Sequence, residues 1–394
     1  MLALLRPVIS FGLWAALLTG PLLAQTTLVV DDDPGPGVDY SNVQDALGAA
    51  SPGDTIDVRP GLYPGFFLNV PVTVIGSESP RPRIAGQVTV FGPALTGRVT
   101  LSRLRIDGVV YATDCEETVL LDQLSTGSCV AVRSSDLRLA RVVADGLDLL
   151  DTRCQVSGAT ITSPLSEPGA VARGQSFLHM DQTSVRGRGG ANCQSASCLF
   201  TATSAGDGMS GLVVGPQAAA RLVRCEIRGG EGGVNICGCS FDGLPGASLD
   251  AQGRVEAWDT LLTVGLFGQP DEGISLGATG SLDESKPFPS LLETNSALAG
   301  GPASWTLMAE PGASCRLIFG RAPVLAPTSG TGLDRLVTLD RVASLGAMPA
   351  SGELPVNFGT AAAWPAGTTL YLQVSRTLPG GETEFSNSLA IVVR

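Results

Sequence analysis

The one histidine of the chain, His179, stands two residues before Asp181 in the run FLHMD. Two positions apart on a strand, both side chains share a face, and an imidazole beside a carboxylate can act as a general acid or base. Read structurally, the same residues are a polar pair on a strand surface, since no third group is placed beside them. Asp107 and Asp145 hold one place in two copies of a repeated strip. Glycosidases need two carboxylates roughly 5–9.5 Å apart. Two rungs of stacked strand would set this pair about 10 Å apart, at the edge of the inverting range, and Asp122 and Asp181 about 14 Å apart, out of reach. The catalytic candidates are therefore Asp107, Asp145, His179 and Asp181. The ligand-binding candidates are Arg103, Asp122, Arg141, Arg224 and Trp258, all at bends of the same strip. Guanidinium groups can grip uronate carboxylates and an indole can stack on a sugar ring. The same arginines can equally pair with neighbouring acids, and the indole can be buried.

These residues are positioned by a repeat. Residues 99–108 read VTLSRLRIDG, with apolar positions at Val99, Leu101, Leu104 and Ile106 and a closing Gly108. The pattern returns as Leu137/Leu139/Val142/Ala144/Gly146, Leu178/Met180/Thr183/Val185/Gly187 and Ala220/Leu222/Cys225/Ile227/Gly229. Weaker copies start at Val119, Cys154, Cys198 and Val255. Most steps are 17–24 residues, the mark of a solenoid. Each copy reads as one short strand, a two-residue bend and a second short strand, with alternation giving one buried face. Hairpins of an ordinary sandwich would not share one internal pattern at one period. Positions between the apolar ones then form outward columns, the first being Thr100, Leu120, Arg138, Gln155, His179, Leu199, Arg221 and Glu256.

Composition agrees with a turn-rich all-β chain: 394 residues, 50 glycines, 26 prolines, 16% charged and 44% hydrophobic. The net charge of −12 argues against nucleic acid, which needs a basic footprint. Nine cysteines without a CxxC, and a single histidine, exclude a Cys/His zinc site. Cys154, Cys198 and Cys225 fall on apolar positions, Cys115 and Cys129 flank one rung and could pair, and Cys193, Cys237 and Cys239 could staple glycine-rich loops. Cys315 stands alone. No cofactor is indicated. Asp31-Asp32-Asp33 offers oxygen ligands for calcium but reads as a solvated turn. Residues 1–24 have a positive start and an apolar run ending at Ala24, a signal peptide that implies export to the cell surface or beyond. No later stretch is long enough to span a membrane.

Ser41 and Gln44 suggest the capping box of a short helix through Ala50, with Val43, Ala46 and Leu47 on its apolar face. The run DYSNVQDALGAASPGDTIDVRPGLYPG at 39–65 resembles the opening of right-handed parallel β-helix proteins of the pectin-lyase-like superfamily. In that family the helix caps the open end of the solenoid. The resemblance implies a carbohydrate ligand, yet the N-T-D, D-D, G-H-G and R-I-K motifs of polygalacturonase-like members do not stand here. RID at 105–107 lacks the lysine. The aspartate cluster of pectate-lyase members is also missing. Residues 303–394 resemble the C-terminal β modules of large exported bacterial proteins. The expected chain is thus a signal peptide (1–24), a parallel β-helix (25–300) with large loops at 163–176, 187–197 and 228–254, and a β-sandwich (301–394). Its expected role is non-catalytic binding of a glycan or other cell-surface component. The alternative is a lyase or hydrolase of acidic polysaccharide.

Overall fold

The computed structural model describes residues 25–92, 97–115, 118–133, 136–163, 167–189, 207–232, 244, 246–265, 274–276, 278–284, 290–295, 303–320, 323–326, 335–337, 341–358, 369–377 and 383–392. The expected signal peptide lies outside them. Among the described residues no helix is long and apolar enough to cross a membrane.

The repeat builds three parallel ladders. The first runs through Thr27–Val30, Thr55–Val58, Thr73–Gly76, Val99–Ser102, Thr118–Asp122, Asp136–Ala140, Arg153–Ser157, Phe177–Asp181, Ala219–Val223, Arg254–Trp258 and Ser281–Asp283. Arg83–Phe91 then starts two more. Its first half pairs with Arg105–Ile106, opening a second ladder that ends at Leu261–Thr263. Its second half pairs with Val110–Thr113, opening a third that ends at Ile274–Leu276. From Val99–Ser102 to Arg254–Trp258 each coil contributes one strand to each ladder, the arrangement of a β-helix. The apolar positions of the strip, from Val99 through Leu101, Leu104 and Ile106 to Val255 and Ala257, fill one continuous core. Cys154 and Cys225 lie in it as expected, and burial pushes both thiols well up, that of Cys225 to about 12.

The bend has a defined conformation. Arg103, Gln123, Arg141, Gly158, Gln182, Arg224 and Asp259 occupy one place in successive coils, all with φ between 45° and 59°. A left-handed residue costs a non-glycine side chain about 1 kcal/mol. Here the cost is offset by a ladder bond that continues around the corner, as in Arg141 N to Ser157 O at 2.8 Å and Gln123 N to Ala140 O at 2.9 Å. Gly108 answers a different need, since a Cβ there would lie 2.5 Å from the carbonyl oxygen of Gly86 on the neighbouring coil.

Several expectations need correction. The copy at 198–205 lies outside the described residues; Phe177–Asp181 pairs with Ala219–Val223. The loops at 163–176 and 228–254 contain third-ladder strands, Ala170–Arg173 and Leu249–Ala251. A two-strand template had no slot for them. The helix spans Val43–Ala49 and its N-cap is Asn42, whose Oδ1 accepts from Asp45 N at 2.8 Å, not Ser41. Gln44 instead pairs its amide with both backbone groups of Phe67, at 2.8 and 3.3 Å. Val43, Ala46 and Leu47 are buried as expected. Cys115 and Cys129 form no disulfide, nor do Cys154, Cys225 and Cys315. Cys193, Cys198, Cys237 and Cys239 lie outside the described residues.

The opening motif is explained by its hydrogen bonds. Asp54 of PGD accepts from Thr26 N and Ser51 N, at 2.9 and 2.8 Å. Tyr63 donates its hydroxyl to Arg59 O and accepts from Asp32 N, and burial raises its pKa to about 12. The three-aspartate run ties the same turn down: Asp32 accepts from Leu62 N at 2.9 Å and Asp31 pairs with Arg59 at 3.2 Å. Beyond the ladders the chain turns antiparallel. Ser290–Asn295, Ala303–Met308 and Glu353–Phe358 form one sheet, and Arg341–Ala347, Ser314–Gly320, Thr369–Thr377 and Thr383–Val392 another. Leu307, Cys315, Leu317, Val356, Leu372 and Val374 belong to a core of their own. The first antiparallel strand begins at Ser290, inside the expected solenoid segment.

Candidate functional site

The outward side chains of the third ladder stack in two registered columns. One runs Phe67, Thr89, Tyr111, Ala131, Asp148, Val171, Val213 and Asp250. The other runs Phe91, Thr113, Arg133, Leu150 and Arg173. At one end Phe67 and Phe91 are 41% and 37% exposed, with ring centroids 6.1 Å apart. Large apolar rings left in water on a strand face are a ligand signal when polar groups adjoin them. Here the Arg133 guanidinium donates to the Tyr111 hydroxyl. Asp148 then bridges Arg133 at 2.8 Å and Arg173 at 2.6 Å, locking both guanidinium groups.

Beside this network opens a pocket of about 420 Å³, lined by Ser128, Cys129, Asp145, Asp148, Glu167 and Arg173 among others. Two of its three carboxylates, Asp145 and Glu167, form no ion pair among the described residues. The Cys129 thiol is pushed up to about 11 by burial first and then by Asp148 and Glu167, so it is not a thiolate nucleophile at neutral pH. Among the described residues no group of three His, Cys, Asp or Glu side chains is disposed to hold a metal ion.

Comparison with protein-family models, with curated proteins and with solved structures gives no match. What the chain can do must be read from its faces.

The first ladder contrasts with the third. Its outward column has the expected register, Thr100, Leu120, Arg138, Gln155, His179, Arg221 and Glu256, without Leu199. It is not an open surface. Arg138, Gln155, His179 and Arg221 are only 0–6% exposed. Burial, and then Arg221, hold the His179 imidazolium down to about 3, so the ring is neutral at ordinary pH. Asp181, 1% exposed, accepts the Ser157 hydroxyl at 2.7 Å. The two residues expected at the surface are thus both buried.

The remaining candidates are scattered. Asp107 pairs with Arg83 at 2.7 Å and Arg105 at 3.7 Å, and Asp145 lines the pocket. Asp122 is buried, taking Arg141 at 2.5 Å and the Ser102 hydroxyl at 3.4 Å. Arg103 reaches Glu78 at 3.5 Å. Arg224 pairs with Asp259 at 3.3 Å and with Glu353. Trp258 packs beside Met308, not against open solvent alone. Sequence reasoning missed Phe67, Phe91, Tyr111, Arg133, Asp148 and Glu167. The signal was present in the alternation of VYAT, VAVR, LDLL and AVAR, one strip after each copy of the repeat.

Proposed function

We propose that this protein is an exported right-handed parallel β-helix of the pectin-lyase-like kind, capped by its N-terminal helix and followed by a β-sandwich. It would bind a glycan at the cell surface without turnover. Right-handedness follows from the general preference of parallel crossovers. The observation that carries the binding reading is the third-ladder face, where exposed rings, a fixed Arg–Asp–Arg network and an open pocket follow one another along the solenoid axis. Rungs about 4.8 Å apart suit a linear chain of sugars lying along that axis. Rings would take sugar faces, and the network and pocket would take hydroxyls. Asp145 and Glu167, which form no ion pair among the described residues, favour neutral or amino sugars over uronates, which they would repel. The test is binding of the protein to immobilised neutral, amino and uronic polysaccharides. Retention on the neutral or amino polymers is expected, and retention on none would overturn the reading.

A second reading is favoured by one observation: Asp145 and Glu167 share a pocket, as the acid and base of a glycoside hydrolase do. Release of reducing ends, lost in both Asp145→Asn and Glu167→Gln, would establish it over the non-catalytic reading. A lyase of acidic polysaccharide would instead release unsaturated ends.

A further inference from the structure

Four arginines crowd the start of the second ladder, in the runs PRPR at 80–83 and RLR at 103–105. Arg83 and Arg105 are registered partners on neighbouring coils, with side chains 55% and 64% exposed. Like charges opposite one another on adjacent strands repel, so the pair is unfavourable unless an anion sits with it. One carboxylate meets that need in part. Asp107 takes Arg83 at 2.7 Å but lies 3.7 Å from Arg105, beyond hydrogen-bond reach. Arg81, also exposed, reaches along the same corner to donate to the carbonyl oxygen of Gln123 at 2.9 Å. That acceptor is neutral, and among the described residues Arg81 forms no ion pair. Gln123 stands two residues before Ser125, the registered partner of Arg105, so Arg81 is held beside the stacked pair. Arg103 is set against Glu78 at 3.5 Å and leaves the local balance unchanged. Three guanidinium groups thus share one carboxylate, an excess of positive charge on a chain whose net charge is −12.

We infer that this corner binds a phosphate monoester. Near neutral pH that group carries a charge of about −1.5 to −2, which matches three guanidinium groups less one carboxylate. Its three terminal oxygens accept in different directions, as guanidinium groups from different coils require. A carboxylate has two oxygens in one plane and pairs best with a single guanidinium, the part that Asp107 already plays toward Arg83. Arg105 supplies the donors that Asp107 does not reach, and Arg81 supplies the further charge. The site lies on the second ladder and does not rest on the glycan reading of the third. A soluble phosphate ester and a lipid headgroup present the same chemical group, and the test separates them.

The full-length protein is titrated calorimetrically with glycerol phosphate and with glycerate, its carboxylate counterpart. In a second arm it is sedimented with phosphatidylcholine vesicles prepared with and without phosphatidic acid. Saturable binding of glycerol phosphate, tighter than that of glycerate, is expected. Binding confined to the phosphatidic acid vesicles would support the site and assign it to a lipid. Arg105→Ala should weaken the observed binding about tenfold, the loss of a hydrogen-bonded contact to a charged group. Asp107→Asn should strengthen it by removing the competing carboxylate. Arg254→Ala, whose side chain is 54% exposed on the first ladder, should leave it unchanged. If Arg105→Ala does not fold, Arg81→Ala carries the variant arm with the same expected direction. Absence of binding in both arms, glycerate bound as tightly as glycerol phosphate, or an equal loss in Arg254→Ala would overturn the assignment.

Discussion

The first and third ladders are built alike, from short parallel strands that alternate inward and outward over one core, yet their outward columns have opposite fates. Thr100 through Arg221 on the first is buried, and Phe67 and Phe91 on the third stand in water. Charge is handled differently as well. On the first ladder Asp122–Arg141 and Arg221–Glu256 are pairs with at least one partner nearly enclosed. On the third, Arg133, Asp148 and Arg173 form a network that remains open to ligand. In a solenoid, the repeat dictates which side chains face out and which stack on which. Whether an outward face is a surface depends on what the rest of the chain lays over it.

The contrast can be broken most severely with arginines. Arg221→Ala should cost about 3 kcal/mol in urea unfolding, because it removes the buried member of its pair with Glu256 and leaves that carboxylate only the exposed Arg254. Arg173→Ala, with a side chain 57% exposed, should cost less than about 1 kcal/mol. Equal losses would erase the distinction between the faces. Next in size is acid. The His179 value falls from 6.5 unfolded to about 3 folded, so the unfolded chain binds the extra proton in between. Stability should therefore be whole above pH ~6.5 and decline as pH falls toward 3, by up to ~3 kcal/mol at pH 4. His179→Gln should remove that part of the acid slope, which a parallel slope in the variant would refute.

Smaller effects belong to the open face. Phe67→Ala and Phe91→Ala should each weaken glycan binding about fivefold while leaving the unfolding midpoint nearly unchanged, as loss of an exposed stacking ring requires. A large stability loss without a binding loss would assign the rings to packing. Smallest is the pocket thiol. Peptide-resolved alkylation of Cys129 should climb only as pH approaches 11, and Asp148→Asn should shift that rise slightly downward. A thiol titrating near 8.5 would contradict its enclosure beside the acids.

Much of this architecture was legible. Val99, Leu101, Leu104 and Ile106 set the core, and the outward residues from Thr100 to Glu256, Leu199 apart, fell into their column, because alternation at a fixed period is a local property of sequence. The left-handed bend was hidden, since Arg103, Gln123 and Arg141 are not residues that announce positive φ. The site was hidden for a different reason. Val110–Thr113 and its successors are strips of three or four residues separated from the repeat by variable loops, so Phe91, Arg133 and Arg173 align only once the coils are stacked. His179 shows the limit plainly: its direction was readable, and its burial was a tertiary event.

Hydroxyl-radical footprinting, with and without a neutral or amino oligosaccharide, reads both faces in one experiment. The free protein should be oxidised at Phe67, Phe91 and Tyr111 and spared at His179, and the oligosaccharide should protect the three rings alone. Oxidation of His179 in the free protein, or rings that stay equally reactive under saturating sugar, would contradict the assignment of the third ladder as the ligand face and the first as the covered one.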